Sequence, residues 1–299
     1  MMFRIPSVLG PFARLSPVAD DQAKMQDEIC RIDSRSYGYG LVEGPGPTVV
    51  LIHGWGLAHN SYRQAAEAIA MQGFRVILPD LPGFGGSSDL PFLGMSFATY
   101  ARAIRRFLEE CHDVAGEPVH IVGHSFGGGV AAQVAHDAPE LVRSVVLVSS
   151  VSGATWQRHE DSERPLTDRP LWDWGVHLLS EFPVGQFPVA ALSVLRDLSH
   201  NLVWHLPNMG LVANMIRRSD LRHELAKVRD KNIPAAVVWA TGDRVITRAS
   251  FDDQCTALGI RGTVVDGNHG WPLSNPASFA RTVAELVRSM DRSEVTCPS

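Results

Sequence analysis

Residues 123–127 read Gly-His-Ser-Phe-Gly, directly after the apolar run Val119-His120-Ile121-Val122 and directly before Gly128-Gly129-Val130-Ala131-Ala132. The first run has the length and β-branched content of a buried strand, and the small residues after it fit a helix packed close to that strand. A strand that turns straight into a helix forces the residue at the corner into a strained backbone conformation. Small residues two positions to either side are needed to make room for it. Ser125 would then stand clear of the sheet at the positive end of a helix, a placement that suits an attacking hydroxyl. The same pentapeptide also occurs at ordinary glycine-containing helix starts, so the elements around it decide its meaning.

Those elements repeat one design. Thr48-Val49-Val50-Leu51-Ile52 runs into His53-Gly54-Trp55-Gly56, and Phe74-Arg75-Val76-Ile77-Leu78-Pro79-Asp80 runs into Leu81-Pro82-Gly83-Phe84-Gly85-Gly86-Ser87-Ser88. Each apolar strand empties into a glycine-rich turn, as expected of a parallel sheet with functional loops at its C-terminal edge. With the pentapeptide, the H-G-W-G and D-L-P-G-F-G stretches resemble the α/β-hydrolase superfamily, in particular its small single-chain esterases and related enzymes. The resemblance covers about residues 37–150 and 233–290. It implies an α/β fold with a mostly parallel central sheet flanked by helices, an inserted helical cap, and chemistry that needs no cofactor.

Length and composition fit that expectation. The chain has 299 residues, 45% hydrophobic and 20% charged, ordinary for a globular enzyme. A net charge of −5 gives no reason to expect nucleic acid as a partner. Cys30, Cys111, Cys255 and Cys297 are far apart and form no C-x-x-C pair, which fits a reducing, cytoplasmic location rather than a disulfide framework or zinc site. No apolar stretch is long enough to cross a bilayer, and Pro6, Gly10, Pro11 and Arg14 interrupt the N-terminus too often for a secretory signal. Residues 1–27 read as an extension: an arm over the core, a peripheral membrane contact, or a disordered tail.

Residues 31–41 predict one or two antiparallel edge strands. Helical spacing marks residues 61–71, 96–111 and 126–138, and Val145-Val146-Leu147-Val148 lies in a further strand at 144–150. The core is therefore expected over residues 28–151 and again over 233–299. Between them, residues 152–232 contain no β-branched strand run, five prolines, and Trp156, Trp172, Trp174 and Trp204, four of the chain's seven tryptophans. The resemblance places the cap there. Such an apolar cap favours a substrate with an acyl, alkyl or aromatic part, and Trp55, Trp156, Trp172 and Trp174 are the candidate pocket residues. The strand pattern resumes at 235–240, followed by Asp243, and the strand at 263–265 leads to His269 before a closing helix at 277–290.

A serine hydroxyl needs a base to take its proton and a carboxylate to orient that base. The order Ser125, Asp243, His269 matches the nucleophile–acid–histidine order of the resembled superfamily. Asp252, Asp253 and Asp266 are rivals for the acid, the first two on a predicted helix and the third too close in sequence to His269. The backbone N–H groups of Phe126 and Trp55 are the expected oxyanion donors. His53, His120, His124 and His136 adjoin strands or lie on a helix and read as structural.

Three functions remain open at this level. Hydrolysis of a hydrophobic carboxylic ester, lactone or thioester is the first. Carbon–carbon bond hydrolysis of aromatic ring-cleavage products, with the same three residues, is the second, and a non-catalytic ligand binder is the third. Epoxide and haloalkane chemistry on this fold uses aspartate where this chain has Ser125. Neither a phosphate-binding glycine motif nor a metal-ligand spacing is present.

Overall fold

The computed structural model describes residues 24–91, 93–111, 113–114, 116–154 and 188–295. Eight strands form one sheet among them: β1 Gln26–Ile32, β2 Arg35–Val42, β3 Thr48–Ile52, β4 Arg75–Pro79, β5 Val119–His124, β6 Val142–Val148, β7 Ala235–Ala240 and β8 Thr263–Val265. Their spatial order is β1-β2-β4-β3-β5-β6-β7-β8. The first two pairings, β1 with β2 and β2 with β4, are antiparallel and all others are parallel.

The helices are α1 Arg63–Ala70, α2 Phe97–Glu110, α3 Phe126–Asp137, α4 Pro188–Trp204, α5 Leu206–Ile216, α6 Arg222–Asp230, α7 Arg248–Leu258, α8 Trp271–Ser274 and α9 Pro276–Val295. Successive strand residues enter opposite cores. Val50, Ile52, Ile121, Val145 and Leu147 pack with α2 and α3 on one face, whereas Val49, Leu51, Val122, Val146 and Val148 pack with α1 and α9 on the other. A sheet covered on both faces needs apolar residues at every position, which is why these strands read as unbroken runs rather than alternating ones.

Local sequence sets several boundaries. The Ser96 hydroxyl accepts the Thr99 N–H at the start of α2, and the Thr247 hydroxyl accepts the Ser250 N–H at the start of α7. Gly259, with φ of +69°, stops α7 in the left-handed conformation. The edge pair β1–β2 begins at Gln26, earlier than the hydrophobic pattern predicts, because the first four residues of β1 are exposed and polar or isolated.

Helices α4, α5 and α6 lie between β6 and β7 in sequence, within the span expected to form a cap. The pocket candidates Trp156, Trp172 and Trp174 and the N-terminal extension to residue 23 lie outside the described residues. Among the described residues, no helix is long and apolar enough to cross a membrane.

Candidate active site

The parallel strands present their C-terminal ends along one edge, and three side chains from three loops converge there. Ser125 is the corner between β5 and α3, with φ of 55° and ψ of −117°. Its N–H donates to Val148 O at 3.0 Å, which ties the corner to the end of β6. An added Cβ at Gly123 would lie 2.3 Å from Gly127 O, and one at Gly127 would lie 2.3 and 2.5 Å from the carbonyl oxygens of Ile52 and His53. Both glycines are thus fixed by close backbone approach.

His269 follows β8 and Asp243 follows β7. The His269 Nε2 is 3.1 Å from Ser125 Oγ, and its Nδ1 is 3.0 Å from Asp243 Oδ2. All three residues are buried. Asp243 Oδ1 accepts the N–H groups of Val245 and Ile246, each at 2.8 Å, so the carboxylate is held in place independently of the imidazole. Burial opposes its charge, but the His269 imidazole and these donors outweigh that cost and hold Asp243 below the usual carboxylate range. A carboxylate only accepts, so Nδ1 carries the ring proton and Nε2 presents a lone pair to the serine hydroxyl.

The rival carboxylates are elsewhere. Asp252 pairs with Arg248 on the exposed side of α7, and Asp266 accepts a hydrogen bond from the Thr241 hydroxyl at an exposed position.

Phe126 is the first residue of α3, so its N–H has no carbonyl one turn back within the helix. Its buried ring is packed among Phe84, Phe97 and Tyr100, with centroids 6.3, 5.7 and 5.2 Å away. The turn carrying Trp55 stands beside the serine: a Cβ added at Gly54 would be 3.5 Å from the Ser125 Cβ. The Trp55 indole N–H donates to Met209 O on α5 at 3.1 Å.

Several site neighbours have partners that the sequence does not single out, although His124 lies in the pentapeptide and Asp80 in the D-L-P-G-F-G stretch. Tyr62 and His124 are fully or almost fully buried beside the turn, and Ser149, at φ of 44°, adds a side-chain hydrogen bond to Asp243. Asp80, also buried, accepts the N–H groups of His59 and Gly86 and fixes the glycine-rich loop after β4. No group of three or more metal-ligating side chains occurs among the described residues.

Comparison with known proteins agrees with this architecture. The family model for the alpha/beta hydrolase fold matches residues 47–219. An uncharacterized protein of Mycobacterium tuberculosis strain H37Rv, Rv2715, is 44% identical over 276 residues, covering 85% of this chain and 79% of that protein. The dihydrolipoyllysine-residue acetyltransferase component of the acetoin cleaving system of Cupriavidus necator is 37% identical over 132 residues. That match covers 44% of this chain and 34% of that protein, so the shared region is about a third of that relative's length. Among solved structures, a bacterial membrane phospholipase A superposes with a TM-score of 0.70 at 23% identity, covering 91% of this chain and 88% of that one. The chain belongs to the alpha/beta hydrolase fold family.

Proposed function

We propose that this protein is a serine hydrolase that cleaves a carboxylic ester, or a related lactone or thioester, with a hydrophobic acyl or aromatic part. The observation that carries the reading is the buried chain Ser125 Oγ–His269 Nε2, His269 Nδ1–Asp243 Oδ2, at 3.1 and 3.0 Å. In this reading residues 28–151 and 233–299 form the core, and residues 152–232 form a cap that covers the active site.

The cycle begins as His269 Nε2 takes the Ser125 proton while Oγ attacks the carbonyl carbon. The carbonyl π pair moves onto oxygen, where the N–H groups of Phe126 and Trp55 stabilise the negative charge; one such donor is typically worth about 3–4 kcal/mol. Collapse breaks the bond to the leaving group, which receives the proton from His269. Water then attacks the acyl-enzyme with His269 again as base, releasing the acid and restoring the Ser125 hydroxyl. Asp243 keeps the imidazole in the useful tautomer and stabilises its charged form.

The test is hydrolysis of p-nitrophenyl esters of graded acyl length beside a ring-cleavage dienone, with Ser125→Ala as control. Ester turnover that vanishes in Ser125→Ala supports the reading. Turnover unchanged by that substitution refutes it, and turnover confined to the dienone moves the assignment to carbon–carbon bond hydrolysis.

A further inference from the structure

Two buried side chains beside the site take no part in the steps above, yet they join its two halves. His124 Nε2 is 2.9 Å from the main-chain oxygen of His269, and His124 Nδ1 is 2.6 Å from the Tyr62 hydroxyl. The Tyr62 hydroxyl in turn accepts the Gly54 N–H at 3.0 Å. A continuous hydrogen-bonded path therefore runs from the turn after β3 to the loop after β8, residues 145 positions apart in sequence at its last link.

Elimination sets the direction of every bond in this path. The His269 carbonyl only accepts, so His124 Nε2 carries a proton and donates it. Burial, reinforced by the neighbouring His269, pushes His124 down to about 3, so the ring is neutral and its Nδ1 is a bare acceptor. The Tyr62 O–H must then donate to Nδ1, which leaves its oxygen lone pairs for the Gly54 N–H. No member of the path has a second way to satisfy all its neighbours.

Gly54 is also held from its other side. Leu81 N–H donates to His53 Nε2 at 2.9 Å, so His53 Nδ1 bears the proton and donates to Gly54 O, also at 2.9 Å. That carbonyl belongs to the same peptide unit as the Trp55 N–H, and a planar trans peptide points the two in opposite directions. Fixing Gly54 O therefore aims the Trp55 N–H, while fixing Gly54 N sets how far that peptide stands from Ser125 and His269.

We propose that Tyr62 and His124 are positioning residues that hold the Trp55 oxyanion donor in register with His269. The proposal rests on the serine-hydrolase reading above. Neither side chain contacts the substrate. Each acts through main-chain atoms: Tyr62 on Gly54, and His124 on the loop that presents the base. Acyl transfer needs the base and the oxyanion donors correctly placed at the same moment, so a small misregistration costs rate rather than binding.

Tyr62→Phe removes one oxygen and keeps the ring, whereas His124→Gln retains an N–H donor and an oxygen acceptor, and His124→Phe retains neither. The rate of covalent labelling of Ser125 by a fluorophosphonate, and kcat and KM on a p-nitrophenyl ester, are to be measured for each. Tyr62→Phe and His124→Phe are expected to lower kcat and the labelling rate by about tenfold or more, with KM moved less than about twofold. His124→Gln is expected to recover most of the loss. Wild type labelled at Ser125, with Tyr62→Phe labelled equally fast, overturns the positioning role and leaves the hydrolase reading intact. A wild type that takes no label removes the hydrolase reading and this inference with it. If a variant fails to fold, side-chain nitrogen NMR of the wild type decides: His124 is expected as the neutral Nε2–H tautomer from pH 5 to 8, and an Nδ1–H tautomer overturns the path.

Discussion

Acid should destabilise this protein through His124, and the size of the effect follows from its surroundings. The ring is buried and held neutral by bonds on both nitrogens, with its pKa lowered from 6.5 to about 3. In the unfolded chain it titrates near 6.5. Above that value both states are neutral and the residue contributes no pH dependence. As pH falls below 6.5 the unfolded chain binds a proton that the folded protein refuses, so stability is lost, and the loss stops growing near pH 3 where both states bind it. At pH 4.5, two units below the unfolded value, the loss is about 3 kcal/mol at about 1.4 kcal/mol per unit. His124→Gln removes this titration. Urea unfolding at pH 7.5 and pH 4.5 should therefore show the wild type losing about 3 kcal/mol more than the variant. His53 and His120, whose pKa values burial also lowers, titrate alike in both proteins and drop out of the difference. Equal acid losses in the two proteins would refute the reasoning.

Asp243→Asn should lower the ester rate by on the order of 10³–10⁴ without unfolding the protein. The Val245 and Ile246 N–H groups retain the amide oxygen, turning the NH₂ toward His269 and moving the ring proton to Nε2, where it cannot accept from Ser125; a rate within tenfold of wild type counts against this orientation. Gly127→Ala should cost about 3 kcal/mol in thermal or urea unfolding, because its Cβ would meet two main-chain oxygens at 2.3 and 2.5 Å. Full stability would mean that the corner is looser than it looks. Ser125→Gly should be more stable than Ser125→Ala by about 0.5–1 kcal/mol: relief of positive-φ strain, about 1–3 kcal/mol, exceeds the flexibility added to the unfolded chain and the loss of one carbon's contacts. Calorimetry finding the glycine variant the less stable would deny the strain at Ser125.

The parts legible in the sequence are those whose environment is uniform. Strands β3 and β7 fall on the predicted residues because the sheet is covered on both faces there and every position after the first is buried. Strand β8 falls on its predicted residues through the β-branched run Thr263-Val264-Val265, although it is an edge strand with Val264 exposed. Strand β1 is harder to place from sequence, since five of its seven residues are exposed and only Cys30 and Ile32 are buried. Helix α8 leaves no mark in the sequence pattern: four residues, Pro272 among them, carry too little periodicity to register. The meeting of Ser125, Asp243 and His269 could be foreseen from topology, because each follows a strand that ends on the same edge. Tyr62, His124, Ser149 and Asp80 could not. Their partners are largely main-chain atoms of distant loops, and nothing in a residue's own neighbours says which carbonyl or N–H it will meet after folding.

Helices α4 and α5 show the same dependence on main-chain partners, and it bears on how they work. Asp197 accepts both the N–H and the hydroxyl of Ser61, Asn201 donates to Gly56 O and Leu57 O and accepts the Gly85 N–H, and Asn208 donates to Gly83 O. All three side chains are buried. Apolar surfaces tolerate sliding, whereas hydrogen bonds to main-chain groups have fixed directions and a large cost when unmade. Burial raises the Asp197 pKa, offset in part by its Ser61 partners, so this seat is maintained against an electrostatic cost. The loops so gripped are the turn carrying Trp55 and the glycine-rich loop after β4, which also meet at the His53–Leu81 bond. A shift of α4 along its axis would consequently break bonds in both loops rather than glide over them. Any opening of the site to substrate is therefore expected to involve other segments, with α4 and α5 remaining seated as part of the wall.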